Sequence, residues 1–302
     1  MQRHDLLTAA FAQSGIGAQA GVSLSGKCTF RIGGAADLFI QPGSESEIVG
    51  AFNLVREYGV PFLVLGKGSN VLFGDEGFRG VVMHLGTRYS QIWREGDDVI
   101  CESGADLSNV CEFAQSSGLA GLEFAYGIPG TVGGALYMNA GAYGSEVGEV
   151  ISGARFVCED GAVRELTQQQ MGLEYRRSVF MGMSGAISRA TFRLTPGNPV
   201  EIRAKMDDYM NRRREKQPLE YPSAGSTFKR PAGNYASALI DECGLKGMRV
   251  GGAAVSEKHA GFVINLGGAT CKDVLELIAA VKDIVKAKTG YELECEVKII
   301  DS

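Results

Sequence analysis

The sequence holds only three histidines and one tryptophan, and its basic residues are outnumbered by its acidic ones, 30 to 35. A formal net charge of -5 leaves no electrostatic footprint for a polyanion, which excludes nucleic acid as the expected partner and points to a small-molecule ligand. No apolar run reaches the roughly 18 residues that a membrane-spanning helix needs. Residues 1–20 also lack the basic segment and apolar run of a secretory leader, so no membrane insertion is expected. The seven cysteines, at positions 28, 101, 111, 158, 243, 271 and 295, are odd in number and contain no C-x-x-C pair. A disulfide framework is therefore excluded, and a reducing, cytoplasmic setting is expected. Scattered cysteines and isolated histidines make no metal-ligand set, and the absence of a period of about 20 to 50 residues excludes a solenoid or propeller.

Glycine is what the sequence has in excess, 42 in 302 residues, about twice the usual share of roughly 7%. The glycines cluster. Five fall in residues 66–80 and seven in 127–148, each time interrupting apolar segments instead of forming a polar linker. Both clusters are candidate ligand loops.

Around them the chain reads as mixed α and β structure. Ser44 opens a capping box with Glu47, and Ile48, Phe52 and Val55 follow at helical spacing up to Gly59 and Pro61. Residues 62–65 read as a short buried strand running straight into Gly66-Lys67-Gly68-Ser69-Asn70, with further strands expected at 71–73 and 81–85. Asp106 is placed to cap a helix that Gly118 ends, and strands are expected at 154–158 and 186–194. Pro196-Gly197-Asn198-Pro199 reads as a boundary, dividing the chain into domains 1–198 and 199–302. Beyond it a charged helix is expected over 200–216, a long helix capped by Thr270 with one apolar face, and a last strand over 292–300.

The first loop matches neither common nucleotide fingerprint. Gly66-x-Gly68-x-x-Val71 lacks the third glycine of a dinucleotide motif and precedes strand-forming residues, and Lys67 stands two places before Ser69, unlike a P-loop. Free backbone N–H groups with Ser69 and Asn70 can still form an anion-binding concavity, or simply an ordinary turn. The second cluster, residues 127–144, is apolar and glycine-dense; it suits backbone pressed against a flat ligand, or a sharply bent buried segment.

Seven motifs then occur in order: Thr29-Phe30-Arg31-Ile32-Gly33-Gly34, Gly66-Lys67-Gly68-Ser69-Asn70-Val71-Leu72, Gly127-Ile128-Pro129-Gly130, Asn139-Ala140-Gly141-Ala142-Tyr143-Gly144, Tyr175-Arg176-x-Ser178, Gly225-Ser226-x-Phe228-Lys229 and Leu293-Glu294-x-Glu296-Val297. From about residue 25 to 300 the chain resembles the UDP-N-acetylenolpyruvoylglucosamine reductase family. The resemblance implies an α+β fold: an FAD-binding domain of the vanillyl-alcohol-oxidase (PCMH) type followed by a smaller substrate-binding domain. It implies FAD held without a covalent bond, since residues 66–70 contain no histidine, NADPH as reductant, and a UDP-sugar enolpyruvyl ether as substrate.

The resemblance assigns cofactor contacts to Gly66, Lys67, Gly68, Ser69 and Asn70, and to Gly127, Ile128, Gly130, Thr131, Gly133, Gly134, Asn139 and Gly141. It gives Arg176 and Glu296 the stabilising of charge on the substrate and Ser226 the delivery of a proton. Tyr143, Tyr175, Arg213, Lys229 and His259 fall at substrate positions. His259 stands where some members carry glutamine and Arg230 where some carry asparagine, and the short stretch between Arg176 and Ala186 resembles the subtype without an inserted tyrosine-bearing loop. The competing readings are an FAD-linked oxidase of a sugar or aldonolactone that uses oxygen, and a catalytically silent nucleotide-sugar binding protein. The first does not need Arg176, Ser226 and Glu296 together, and the second would be expected to have lost one of them.

Overall fold

The computed structural model describes residues 3–301. The chain packs into two compact units, one made of Met1–Gly21, Asp37–Lys67 and Gly80–Arg212, the other of Val22–Ala36, Gly68–Arg79 and Arg213–Ser302. This differs from a single cut at 198/199. The charged helix α5 (Pro199–Lys216, numbered in chain order with the helices below) places Ile202 and Met206 in a core with Val99 and Phe192, so most of it belongs to the first unit. Two early segments belong to the second.

In the first unit, helix α1 (Arg3–Gln13) and helix α2 (Glu45–Tyr58) accompany a four-stranded sheet in the order Ala18–Ser23, Ala35–Ile40, Phe78–His84, Phe62–Leu65. The Ser44 Oγ caps α2 by accepting from the Glu47 N–H at 3.2 Å, and Gly59 closes it in the left-handed conformation. The apolar face of α2, including Ile48, Phe52 and Val55, is buried with Leu38, Val81, Val157 and Ala186. Each such side chain contributes about 1.5–3 kcal/mol on leaving water. A five-stranded antiparallel sheet follows, ordered Val163–Thr167, Ile151–Cys158, Gly185–Arg193, Asp98–Glu102, Ile92–Glu95. Its second core is shared with helix α3 (Leu107–Ser116), capped by Asp106, and helix α4 (Val132–Tyr137). Helix α4 lies inside the cluster expected to be a glycine loop. Two glycines give it poor propensity, and the buried Val132, Ala135 and Leu136 hold it instead.

The second unit contains a four-stranded antiparallel sheet, ordered Ser223–Ser226, Phe262–Asn265, Ala253–Val255, Arg249–Val250, with helix α6 (Ala236–Glu242) and the long helix α7 (Cys271–Thr289). Thr270 and Asp273 form a reciprocal capping box on α7. The expected strand over 292–300 is shorter, Lys298–Ile300, and lies parallel to Val71–Phe73. Before it, Cys295 forms an isolated β-bridge with Phe228. No helix among the described residues is long and apolar enough to cross a membrane.

Candidate active site

In the first unit the two glycine clusters meet. A Cβ on Gly66 would stand 2.3 Å from Thr131 Oγ1, and one on Gly133 would stand 2.9 Å from Ser103 Cβ. Thr131 caps α4 and forms a bridge with Asp106. Leu107 N–H donates to Gly130 O, Val132 N–H to Ala105 O and Gly133 N–H to Ser103 O. Lys67 is ion-paired with Asp106, and Gly127 N–H donates to Ser108 Oγ at 3.4 Å, while the partly buried Ile128 packs on the core. The end of a strand and the starts of α3 and α4 thus converge with no room for side chains between them. Gly134 is exposed, and a Cβ there would meet nothing closer than 3.6 Å. Exposed backbone beside helix starts and a lysine fits a diphosphate-bearing cofactor. Gly66→Ala is expected to push Thr131 off its cap and to lower the flavin content of the purified protein, read as flavin absorbance per protein. Full occupancy would exclude this loop from the cradle.

Gly68, Ser69 and Asn70 belong to the second unit. Gly68 has φ of 64°, and a Cβ would stand 2.5 Å from Lys27 O and 2.8 Å from Cys28 Cα. The space on the Cβ side of Gly68 is filled by the chain itself. Gly68→Ala is therefore expected to destabilise even the flavin-free protein, by about 1–3 kcal/mol. Urea unfolding of the stripped protein checks this, and an unchanged midpoint would refute it. Ser69 is half-buried, and Asn70 Nδ2 donates to Glu296 O at 3.3 Å.

The second cluster continues into strained backbone. Gly141–Ala142 pairs with Ser145–Glu146, and the two residues between them, Tyr143 at φ 56° and Gly144 at φ 90°, both lie in the left-handed region. That is the signature of a type I′ hairpin, in which tyrosine is an unusual first residue. A Cβ on Gly141 would stand 2.7 Å from Ser145 O, so close strand approach accounts for that glycine. The Tyr143 ring stacks on Tyr209 at 4.3 Å, nearly parallel, and its hydroxyl donates to Tyr209 O at 2.8 Å. Tyr209 carried no signal in the sequence reading.

Tyr175 and Arg176 form the tip of another tight turn. Glu174 N–H donates to Arg177 O at 3.1 Å and Arg177 N–H returns a bond to Glu174 O at 3.0 Å. Arg176, the third residue of the turn, has φ of 54°, where a type II turn ordinarily carries glycine. Its guanidinium lies 5.0 Å from the centre of the exposed Tyr175 ring. Among the described residues four non-glycines have left-handed backbone: Arg31, Asn139, Tyr143 and Arg176. The last three are all sequence-derived site residues of the first unit. Strain of about 1–3 kcal/mol at each persists only where surrounding structure imposes it, and it clusters at functional sites.

In the second unit, Ser226 is exposed at the end of its strand and Glu296 is half-buried. Glu296 N–H donates to Thr227 O and Lys229 N–H to Glu294 O, both at 2.8 Å, so the Ser226 and Glu296 segments lie side by side. Lys229 Nζ is ion-paired with Glu294. Thr29, from the first of the seven motifs, donates its hydroxyl to Ser223 O at 2.6 Å, tying that segment to the strand that ends in Ser226. His259 Nδ1 accepts from Gly261 N–H at 3.2 Å, and its ring meets Phe262 edge-on. Burial holds its pKa below the usual histidine value, which favours the neutral ring. Arg213, another of the expected substrate positions, is buried, with Nη1 donating to Gln217 Oε1 at 3.2 Å. Helical periodicity alone did not show which of Arg212, Arg213 and Arg214 turns inward.

The architecture defines a flavoprotein: residues 36–167 match the FAD binding domain family. Residues 217–300 match the family described as UDP-N-acetylenolpyruvoylglucosamine reductase, C-terminal domain. Proteins named UDP-N-acetylenolpyruvoylglucosamine reductase are similar over nearly their whole length. One from Clostridium perfringens is 50% identical over 90% of this chain and 89% of its own, and one from Geobacillus kaustophilus is 48% identical over 89% and 88%. The crystal structure of the reductase from Thermus caldophilus superposes with a TM-score of 0.81 at 34% identity, covering 94% of this chain and 98% of that one. The chain belongs to the UDP-N-acetylenolpyruvoylglucosamine reductase family and is an oxidoreductase of peptidoglycan precursor synthesis.

Proposed function

We propose that the protein is a cytoplasmic, NADPH-dependent reductase that converts UDP-N-acetylglucosamine enolpyruvate to UDP-N-acetylmuramate. FAD, bound without a covalent bond in a domain of the vanillyl-alcohol-oxidase type, would supply the hydride chemistry, with NADPH as the reductant. The residues around Gly66, Lys67, Thr131 and Gly134 offer it backbone donors and a cation. The single observation that carries the reading is the arginine held at the glycine position of a tight turn, a placement that folding alone disfavours.

Reduction of an enolpyruvyl ether puts hydride on the methylene carbon and a proton on the carbon beside the carboxylate. Negative charge develops on that carboxylate between the two events, so the chemistry needs an electrostatic clamp and an acid. Arg176, with a planar fork, engages the carboxylate. Ser226 donates the proton, and Glu296, its segment tied to that of Ser226 by the backbone, helps to stabilise the charged intermediate. Tyr143, Tyr175, Lys229 and His259 contact the remainder of the substrate through ring faces and polar donors, and Arg213 acts from its buried position at the end of α5.

The test is the visible spectrum of the purified protein. A yellow protein is expected, bleached by anaerobic NADPH and recoloured by the enolpyruvyl substrate, with intact FAD released on denaturation. A colourless protein, or one recoloured only by oxygen, would overturn the reading.

A further inference from the structure

Ser178 closes the motif that begins at Tyr175, yet the chemistry above gives it no task. It is 5% exposed, and its hydroxyl donates to Tyr137 O at 2.7 Å. Asn139, two residues beyond Tyr137, is fully buried. Its carboxamide is used at both ends, Nδ2 donating to Glu174 O at 3.0 Å and Oδ1 accepting from Gly148 N–H at 2.8 Å. The sequence reading gave Asn139 to the cofactor; its side chain is spent instead on holding the protein's own backbone at both polar ends. Arg176 Nη1 in turn reaches Asn139 O at 3.5 Å, the long limit of a hydrogen bond.

These bonds bracket one object. Asn139 holds the first residue of the turn that carries Arg176, Ser178 holds the chain just past its last residue, and both lead back to the segment at the end of α4. That segment is itself bent, with Asn139 at φ 41°. A turn with a non-glycine residue in the left-handed region relaxes unless its ends are fixed, and buried side-chain bonds at both ends fix it.

We propose that Asn139 and Ser178 are positioning residues, a buried clip that imposes the left-handed turn on which Arg176 is presented to the substrate carboxylate. The proposal rests on the reading of Arg176 as the carboxylate clamp. Placement errors of about 1 Å in such a group cost on the order of 10²-fold in rate.

The experiment compares Ser178→Ala and Asn139→Asp with Arg176→Lys, and uses Ser152→Ala as a control that removes a comparable half-buried bond, Ser152 Oγ to Thr191 O at 3.0 Å. Anaerobic stopped-flow absorbance follows bleaching by NADPH and recolouring by substrate, calorimetry follows substrate binding to the oxidised protein, and thermal unfolding follows stability. For Ser178→Ala we expect bleaching within about twofold of the parent, recolouring slowed by roughly 10- to 100-fold, and weaker substrate binding. Ser152→Ala should lose comparable stability and no rate. In an Arg176→Lys background Ser178→Ala should add little, because the group being positioned is already gone. Should Asn139→Asp fail to fold, Ser178→Ala alone decides. Additive losses, or equal slowing of both steps, would show a merely structural clip and overturn the proposal. An impaired Arg176→Lys beside an unaffected Ser178→Ala overturns the proposal alone, whereas near-native turnover by Arg176→Lys overturns the reading of Arg176 and the proposal with it.

Discussion

Ser226→Ala is expected to bleach with NADPH at a near-normal rate and to recolour with the enolpyruvyl substrate about 10²- to 10⁴-fold more slowly, the range for a lost general acid. The asymmetry follows from the chemistry, because hydride transfer from a nicotinamide needs no proton on carbon, whereas completing the reduction of the enolpyruvyl group does. A serine hydroxyl is a weak acid at its ordinary pKa and can donate only to a strongly basic carbon centre, after which a proton must return to it from water or a neighbour. The exposure of Ser226 keeps that return route open. Ser226→Cys should retain more activity than the alanine variant, since a thiol can also donate. Stopped-flow absorbance under anaerobic conditions separates the two steps, and equal slowing of both, or of neither, would remove Ser226 from the role of proton donor.

Substitution at Arg176 should separate activity from stability. Arg176→Lys conserves charge but replaces a planar fork with a point charge on a flexible stem, and a carboxylate that takes two parallel bonds from a guanidinium takes fewer from an ammonium. A loss of roughly 10²- to 10³-fold in recolouring is expected, in line with removal of a donor aimed at developing negative charge. Arg176→Gly should be nearly inactive and yet more stable than the parent by about 1 kcal/mol, because φ of 54° suits glycine. Turnover and urea unfolding on the same preparations check both statements. An active lysine variant would deny Arg176 the clamp, and a glycine variant less stable than the parent would show that the turn stores no strain.

Much of the fold around the candidate site was legible in the sequence because its signals are local. The caps at Ser44, Asp106 and Thr270 depend on side chains reaching backbone N–H groups two or three residues away, and the apolar face of α7 depends only on helical period. The glycine clusters were visible as composition, but the reason for their glycines was not. Gly68 answers to Lys27 and Cys28, and Gly66 to Thr131, residues that are distant along the chain.

By itself the sequence determined the family, through ordered motifs, together with helices α2, α3, α5 and α7 and the short strands beside the first loop. Tertiary structure alone decided how the chain divides, because Lys298–Ile300 lies against Val71–Phe73 and Thr29 bonds a carbonyl 194 residues away. It also decided that Arg213 turns inward, that residues 132–137 are helical despite two glycines, and that Asn139 faces the Arg176 turn. The physical reason is the same in each case. A conformation that local propensity disfavours, such as a left-handed arginine or a glycine-rich helix, is selected only by contacts whose partners are brought close when the chain folds.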